Sequence, residues 1–265
     1  MNNFKSLFGA IALLFLISCT DDEVSIDPTE GMVKIHEASA SSSNTKVELW
    51  ANEDLFVGYN QLFVRLIGSD NQAITEATVT FHPMMTMTSG MSHSAPVDNP
   101  ASSSALNTIF SGAVNFIMPS GDMGSWKLMV HTEHDGLKEE AEFNIVVSNP
   151  NPSRMFSFKS MEGTSYFVSY LFPEDYKVGS NEIEIMINKR ENMESFPPVT
   201  DFEIIMEPEM PSMGHGSPNN VNPVHEANGH YRGKVNFTMT GDWRINLVLN
   251  RGELSKEMYF DITLN

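Results

Sequence analysis

The sequence has one cysteine in 265 residues, so no disulfide can form within the chain. It has few basic side chains, 16 against 34 acidic ones, and a formal net charge of −18. This excess of negative charge repels phosphate, which argues against nucleic acid as a partner and against a basic membrane-binding surface. The sequence also lacks a Gly-x-Ser-x-Gly elbow, a phosphate-binding glycine loop and His-Glu-x-x-His. We therefore predict a protein that is not an enzyme.

The long apolar run of the chain is confined to its start. Lys5 precedes the run from Leu7 to Ile17, which is too short to span a bilayer and has the proportions of a signal peptide over residues 1–18. The run ends in Leu-Ile-Ser-Cys19, which resembles the lipobox of bacterial lipoproteins and implies cleavage before Cys19 and lipidation of its thiol. The alternative is an ordinary secretory signal with a chance cysteine.

The residues after Cys19 are acidic and then rich in serine. Thr20-Asp-Asp-Glu23 resembles the surface-export tag of Bacteroidetes-type lipoproteins. This implies an outer-membrane lipoprotein of the cell envelope that faces outward and touches the membrane through lipid alone. Residues 19–44 have little to bury and are predicted to form a tether.

The remainder alternates polar and apolar residues with a period of two, which predicts strands and no helix. Turn-rich segments separate the strands, and Asn149-Pro-Asn-Pro152 interrupts the pattern before it restarts. We predict an all-β fold of two tandem immunoglobulin-like antiparallel β-sandwich domains, at residues 45–148 and 155–265, with a linker at 149–154. The predicted strands cover residues 46–50, 61–67, 77–81, 109–118, 126–131, 142–147, 165–172, 181–188, 201–206 and 231–239.

The two halves repeat each other. Residues 231–239 align without a gap on residues 110–118 and share Gly, Val, Asn, Phe and Met. Trp243 likewise corresponds to Trp126, and both tryptophans are predicted to anchor a sandwich core. These matches indicate an internal duplication.

Methionine and histidine concentrate at one place in each half. Residues 81–93 contain four methionines and end in Met91-Ser-His93, and we expect Pro83 and Gly90 to prevent a regular element there. Residues 206–215 keep the same order and end in Met213-Gly-His215. Thioether sulfur is a soft ligand and imidazole a borderline one, so these loops point first to copper.

The order Pro-Met-x-His, then aromatic-Gly-x-Val-x-Phe-x-Met, then Gly-x-x-Trp resembles the YtkA-like family, which is related to FixH-type domains. It occurs across residues 55–147 and 178–264. The resemblance implies an exported β-sandwich associated with copper handling. By position it implies the metal ligands Met91, His93 and Met118 in the first half and Met213, His215 and Met239 in the second, with Met85 and Met210 as the next candidates.

The spacing of these residues supports two copies of one geometry, because 25 residues separate His93 from Met118 and 24 separate His215 from Met239. Two thioethers and an imidazole suit Cu(I). Cu(II) would need more nitrogen, which His225 and His230 could supply to the second site.

Three alternatives stay open for these side chains. Core packing is as good an explanation as ligation for Met118 and Met239, since methionine is a common gap-filler. The Met/His loops could also fold back as hydrophobic plugs over the sandwich ends. His82 adjoins the first loop and could be a ligand there, although its counterpart in the second half is Glu207. His36, His131 and His134 are predicted to be ordinary surface residues.

Two functions follow from these observations. The preferred one is copper binding for buffering, chaperoning or delivery, with a copper-handling or oxidase-assembly protein as the partner. The alternative is a structural or adhesion-type surface module without metal, whose methionines form a hydrophobic contact patch.

Overall fold

The computed structural model describes residues 27–171 and 176–265, and every regular element within them is a β-strand. The all-β fold class predicted from the sequence is confirmed. None of the described residues belongs to a helix with the length and hydropathy of a membrane span. The predicted signal peptide, Cys19 and the first part of the predicted tether lie outside the described residues.

Residues 33–148 form what we call the first unit, which has two antiparallel sheets. Its strands are β1 (Val33–Ser39), β2 (Lys46–Ala51), β3 (Gly58–Ile67), β4 (Ala73–Ile74), β5 (Thr78–Met87), β6 (Ser92–His93), β7 (Val97–Asp98), β8 (Phe110–Phe116), β9 (Gly124–His134) and β10 (Leu137–Ile145). One sheet has the order β1-β2-β3-β8-β7, with β4 paired to β3, and the other has the order β10-β9-β5-β6.

Residues 155–264 form the second unit, again with two antiparallel sheets. Its strands are β11 (Met155–Lys159), β12 (Ser165–Leu171), β13 (Gly179–Lys189), β14 (Glu203–Met210), β15 (His215–Gly216), β16 (Val221–Ala227), β17 (His230–Phe237), β18 (Gly241–Arg251) and β19 (Leu254–Leu264). The sheet orders are β11-β12-β13-β17-β16 and β15-β14-β18-β19, which repeat the orders of the first unit strand for strand.

Each unit buries its own hydrophobic cluster between its two sheets. Trp126 and Trp243 are buried members of the first and second cluster respectively, so their predicted role as core anchors is confirmed. Their indole N–H groups donate to the backbone carbonyls of Met118 and Met239 over 2.8 and 3.0 Å, which satisfies the polar atom of each buried ring.

The two units contact each other through the sheets that contain β8 and β13. The side chain of Asn115 lies fully buried between them and accepts a hydrogen bond from Ser169 over 2.7 Å. A second contact joins His230 of the second unit to Asp98 of the first over 2.9 Å. The end of the first unit that carries β6 therefore meets the second unit.

The predicted tether is wrong for residues 33–39, which form strand β1 and pair with β2. Ile35 and Ala38 pack against the first cluster, and Lys34 binds Glu48 over 3.0 Å. Most other side chains of β1 are exposed. The strand buries so little that no period-two pattern marks it in the sequence. The other domain bounds stay predictions.

The sequence also predicted that Pro83 would break the chain after Phe81, but β5 continues to Met87. The reason lies in the direction of the backbone N–H groups. Phe81 N–H donates to the side chain of Asn99 over 2.7 Å, so it points away from β9. Residues two apart in a strand point to the same edge, so Pro83, which has no N–H, removes no bond to β9.

Pro208 in the second unit sits in the same way. Met206 N–H, two residues before it, donates to the side chain of Asn222 over 3.0 Å. Pro208 keeps its place opposite Ile245 on β18. Both prolines therefore lie inside a strand, at positions where a backbone N–H would point away from the paired strand.

The expectation that His134 lies at the surface is also wrong, because this side chain is 8% exposed. Its Nε2 lies 3.3 Å from Glu139, which is itself buried. Glu139 lies opposite Thr132 in the tight β9–β10 hairpin, diagonal to His134, which brings a polar pair under the turn.

Candidate functional site

Two β-hairpins, one at the end of each unit, hold the buried part of the predicted ligand sets. In the first unit, Met85 on β5 lies opposite both His93 on β6 and Trp126 on β9. Directly opposed residues of antiparallel strands project to the same face, so the three side chains share the inner face of the sheet. Met85 and His93 are 0% and 4% exposed.

The imidazole of His93 is held in one tautomer. Its Nδ1 lies 2.8 Å from the backbone oxygen of Ser94, and because a carbonyl oxygen only accepts hydrogen bonds, Nδ1 must carry the proton. In the neutral imidazole Nε2 then presents a lone pair. This atom is buried and has no hydrogen-bond partner among the described residues. The ring lies edge-on to Trp126, with centroids 5.3 Å apart.

The second unit repeats this arrangement. Met210 on β14 lies opposite His215 on β15, and its side chain is buried. The Nδ1 of His215 lies 3.0 Å from the backbone oxygen of Gly216, so this nitrogen must also donate. The centroid of the His215 ring lies 6.0 Å from that of the Trp243 ring. Within residues 27–171 and 176–265, no hydrogen bond reaches its Nε2. Unlike His93, His215 is partly exposed.

The methionines of the hairpin turns face solvent. Met91 is 52% exposed and Met213 is 61% exposed. The turns themselves are closed by backbone bonds, from Met87 N–H to Met91 O over 2.8 Å and from Met213 N–H to Met210 O over 3.0 Å. These thioethers are therefore accessible beside the buried Met and His pairs. The idea that the whole loop forms a hydrophobic plug does not fit their exposure.

Met118 and Met239 follow strands β8 and β17 and differ from each other. Met118 is partly buried and packs against the first cluster, whereas Met239 is exposed. The structure assigns both a backbone role, because their carbonyls accept the tryptophan N–H bonds. Ligation by their thioethers stays a prediction.

His225 and His230 do not supply nitrogen to the second hairpin, and this prediction is wrong. His230 lies at the start of β17, whereas Phe237 at its end contacts Trp243. Seven residues of strand span about 23 Å at about 3.3 Å each. His225 pairs with Tyr231 at the same distant end.

His230 is also fully engaged elsewhere. Its Nε2 lies 2.9 Å from Asp98, and its Nδ1 is bound to Glu184. Burial lowers the pKa of His230, but the hydrogen bonds to these two carboxylates outweigh burial and raise the pKa to about 9. The residue is therefore an imidazolium between two carboxylates, which is no metal ligand.

Thioethers must contribute to any soft-metal site at the hairpins. Among the described residues no group of three or more His, Cys, Asp and Glu side chains could hold a metal ion. Each hairpin instead combines one buried thioether with one imidazole whose Nε2 is free to accept. From the sequence, Trp126 and Trp243 were expected only to stabilise the hydrophobic cores. In the structure each tryptophan also lies beside the histidine of its unit's hairpin.

The YtkA-like family model matches residues 161–248, which lie in the second unit. The first unit lies outside this match, so its place in the family stays a prediction. Comparison with curated protein sequences finds no significant match.

Solved structures with similar folds include the Escherichia coli adhesin FdeC, at 13% identity over 85% of this chain and 66% of that one, with a TM-score of 0.26. Domains 5–6 of the S-layer protein SbsC match at 12% identity over 88% and 98%, with a TM-score of 0.31. InvD of Yersinia pseudotuberculosis matches at 15% identity over 86% and 54%, with a TM-score of 0.26. The chain thus spans about two thirds of FdeC and half of InvD. Likeness at this level carries no argument about function.

Proposed function

We propose that this protein binds Cu(I) at the hairpin of each unit and serves as a copper buffer, chaperone or delivery protein. The observation that carries the proposal is the repeated state of the two histidines. In both units Nδ1 donates to the carbonyl of the next residue, which leaves the lone pair of Nε2 available beside a methionine on the paired strand.

The chemistry of these side chains fits a soft cation. A thioether needs no deprotonation, and an imidazole fixed by a bond at its other nitrogen is the usual state of a metal-bound histidine. The buried, unpartnered Nε2 of His93 fits in particular, because a buried polar atom without a partner costs free energy that a bound cation would recover. Met91 and Met213 on the turns are the accessible thioethers that would meet an arriving ion first.

The cellular setting in this proposal comes from the start of the sequence. Lys5, the apolar run and Cys19 support an exported lipoprotein held to the cell envelope by lipid, and the acidic residues after Cys19 support the outer, surface-exposed face. The partner would be a copper-handling or oxidase-assembly protein. No catalytic step is part of the proposal.

The test is a titration of the full-length protein in detergent with Cu(I) against a competing chelator. We expect two ions per chain, and one after the double substitution Met213→Leu with His215→Gln. His93→Gln should remove the other ion. Since His225 lies far from the second hairpin, His225→Gln serves as the matched control for the second site and should leave its ion in place.

Two results would contradict copper binding. One is a wild-type chain that takes up no Cu(I). The other is a stoichiometry that the hairpin substitutions do not change. Binding of a protein or glycan that survives loss of both His93 and His215 would instead support the metal-free surface module.

A further inference from the structure

The two hairpins have different surroundings, and the difference comes from the second unit. Ser94, which directly follows His93, donates its backbone N–H to the backbone oxygen of Met193 over 2.7 Å. Met193 lies in the loop after β13, so the second unit is seated on the hairpin of the first. The hairpin of His215 has no such bond from the other unit within the described residues. This contact accompanies the deeper burial of His93.

The loop that carries Met193 has a fixed shape. The side chain of Asn192 accepts hydrogen bonds from Glu194 N–H and Ser195 N–H over 2.8 and 2.9 Å. Phe196 at the end of the loop is buried and contacts the ring of Phe167, with centroids 5.8 Å apart. Met193 is therefore held against the first hairpin by its own unit.

Met193 has no evident role in packing. It is 38% exposed and is the one apolar side chain in Arg190-Glu-Asn-Met-Glu-Ser195. The bond from Ser94 N–H to Met193 O places the backbone of Met193 beside the residue that follows His93. Adjacent Cα atoms are about 3.8 Å apart, and a methionine side chain has three rotatable bonds with which to turn toward the imidazole. Its thioether is a soft donor that the polar residues around it in the loop do not provide.

We propose that Met193 of the second unit is a ligand of the first copper site, which is thus shared by Met85, His93 and Met193 and needs both units to be complete. This inference rests on the proposed function. Two soft ligands come from the hairpin, and the loop after β13 brings a third. The first site then differs from the second, which has only the solvent-exposed Met213 to add.

The experiment measures the affinity of single sites for Ag(I), a redox-stable stand-in for Cu(I), in the full-length protein. A His215→Gln background isolates the first site and a His93→Gln background isolates the second. In the first background we expect Met193→Leu to weaken binding about tenfold or more, as loss of a ligand contact does. In the second background the same substitution should change nothing. Met161→Leu, at a fully exposed methionine of the same unit, is the matched control.

A second readout does not depend on affinity. With 13C-labelled methionine methyl groups, the Met193 resonance should shift together with that of Met85 when Ag(I) is added, and His93→Gln should abolish both shifts. Because Met193 is partly exposed, its replacement by leucine leaves the fold intact.

The outcomes separate the two proposals. Unchanged affinity in Met193→Leu, or a loss seen in Met91→Leu in its place, would overturn the role of Met193 while His93-dependent binding still stands. Absence of Ag(I) binding in the His215→Gln background, or binding that persists in His93→Gln with His215→Gln, would overturn the proposed function and the inference with it.

Discussion

Asn60 and Asn181 hold the same turn in the two units. Asn60 accepts a hydrogen bond from Phe56 N–H over 3.0 Å and donates to the backbone oxygens of Phe56 and Gly58, both over 2.7 Å. Asn181 makes the same three bonds to Lys177 and Gly179. Both side chains are buried, so these bonds replace water entirely.

Removing one of these amides should destabilise its unit. We expect Asn60→Ala to lower the free energy of unfolding by about 2–3 kcal/mol, since it deletes three hydrogen bonds and leaves backbone groups unpaired. Asn181→Ala should have a similar effect, and urea denaturation measures both.

Asn52→Ala is the control for this pair, since Asn52 is exposed, and it should change stability by less than about 0.5 kcal/mol. A loss in Asn60→Ala no larger than in the control would show that the three bonds contribute nothing.

The roles of single residues were the least predictable part of the chain. The sequence identified His93 and His215 by their spacing, but it does not show that the next carbonyl fixes each tautomer, since that depends on the backbone path of the hairpin. Gly58-Tyr-Asn60 and Gly179-Ser-Asn181 do repeat in the sequence. A search for Gly-x-Asn at the start of matched strands would have found this pair.

Strands β5 and β14 continue through a proline because one of their edges is open. The same geometry makes the neighbouring positions intolerant of proline, since their N–H groups point to the paired strand. Met84 lies opposite Lys127 on β9, and the alternation that begins at Phe81 turns its N–H toward that strand.

Met84→Pro should therefore destabilise the first unit by about 3 kcal/mol or more, through loss of a ladder bond and a clash with the partner strand. Pro83→Val, which keeps a buried apolar side chain at the adjacent position, should cost less than about 1.5 kcal/mol. Thermal unfolding of the two variants compares the positions. Equal losses of stability in both variants would show that the direction of the backbone N–H does not decide where β5 accepts proline.

Strands that alternate buried and exposed side chains were predictable from the sequence, and β2, β3, β9, β13 and β17 lie close to their expected ranges. Other strands were not among the predicted ranges, β18 and β19 included, and two elements show a physical reason. Strand β1 buries too little to show a pattern, and β5 runs past a proline because its edge away from β9 has no partner strand at Pro83. In both cases the pairing partner, which the local sequence does not contain, decides the structure.

The junction between the units is organised by His230. Its imidazole binds Asp98 of β7 and Glu184 of β13, lies edge-on to Tyr59 of β3 and is followed by Arg232, which also binds Glu184 over 3.0 Å. The positive charge of His230 therefore links the first unit to the second.

The stability of the whole molecule should depend on this charge. In the unfolded chain the pKa of a histidine is about 6.5, and in the folded protein it is raised to about 9. The stabilisation is complete below pH 6.5 and is lost as the pH rises through 9, because the folded state then releases the proton that it held more tightly.

We expect His230→Gln to be less stable than wild type by about 2 kcal/mol at pH 6 and nearly equal to it at pH 10, in urea denaturation at each pH. His225→Gln is the control, since His225 makes no ion pair in the described part of the chain, and its effect should be the same at both values. A difference for His230→Gln that does not change with pH would contradict the assignment.

The relation between the units could not be predicted, although the repeat itself could. The duplicated sequence predicted two copies of one fold, and the two units have matching sheet orders. The contacts that join them, such as Asp98 with His230 or Ser94 with Met193, link residues that no shared motif connects. A sequence repeat reveals the residues that the two copies share. The contacts between the units are made by residues that the copies do not share.

The two tryptophans that stand edge-on to His93 and His215 have a practical consequence. An ion that reaches either Nε2 arrives within a few ångströms of an indole, the strongest natural fluorophore in proteins. Each hairpin therefore carries its own optical reporter, and replacing Trp126 or Trp243 by phenylalanine would silence one hairpin and leave the other to follow its occupancy without a dye, over the emission of Trp50.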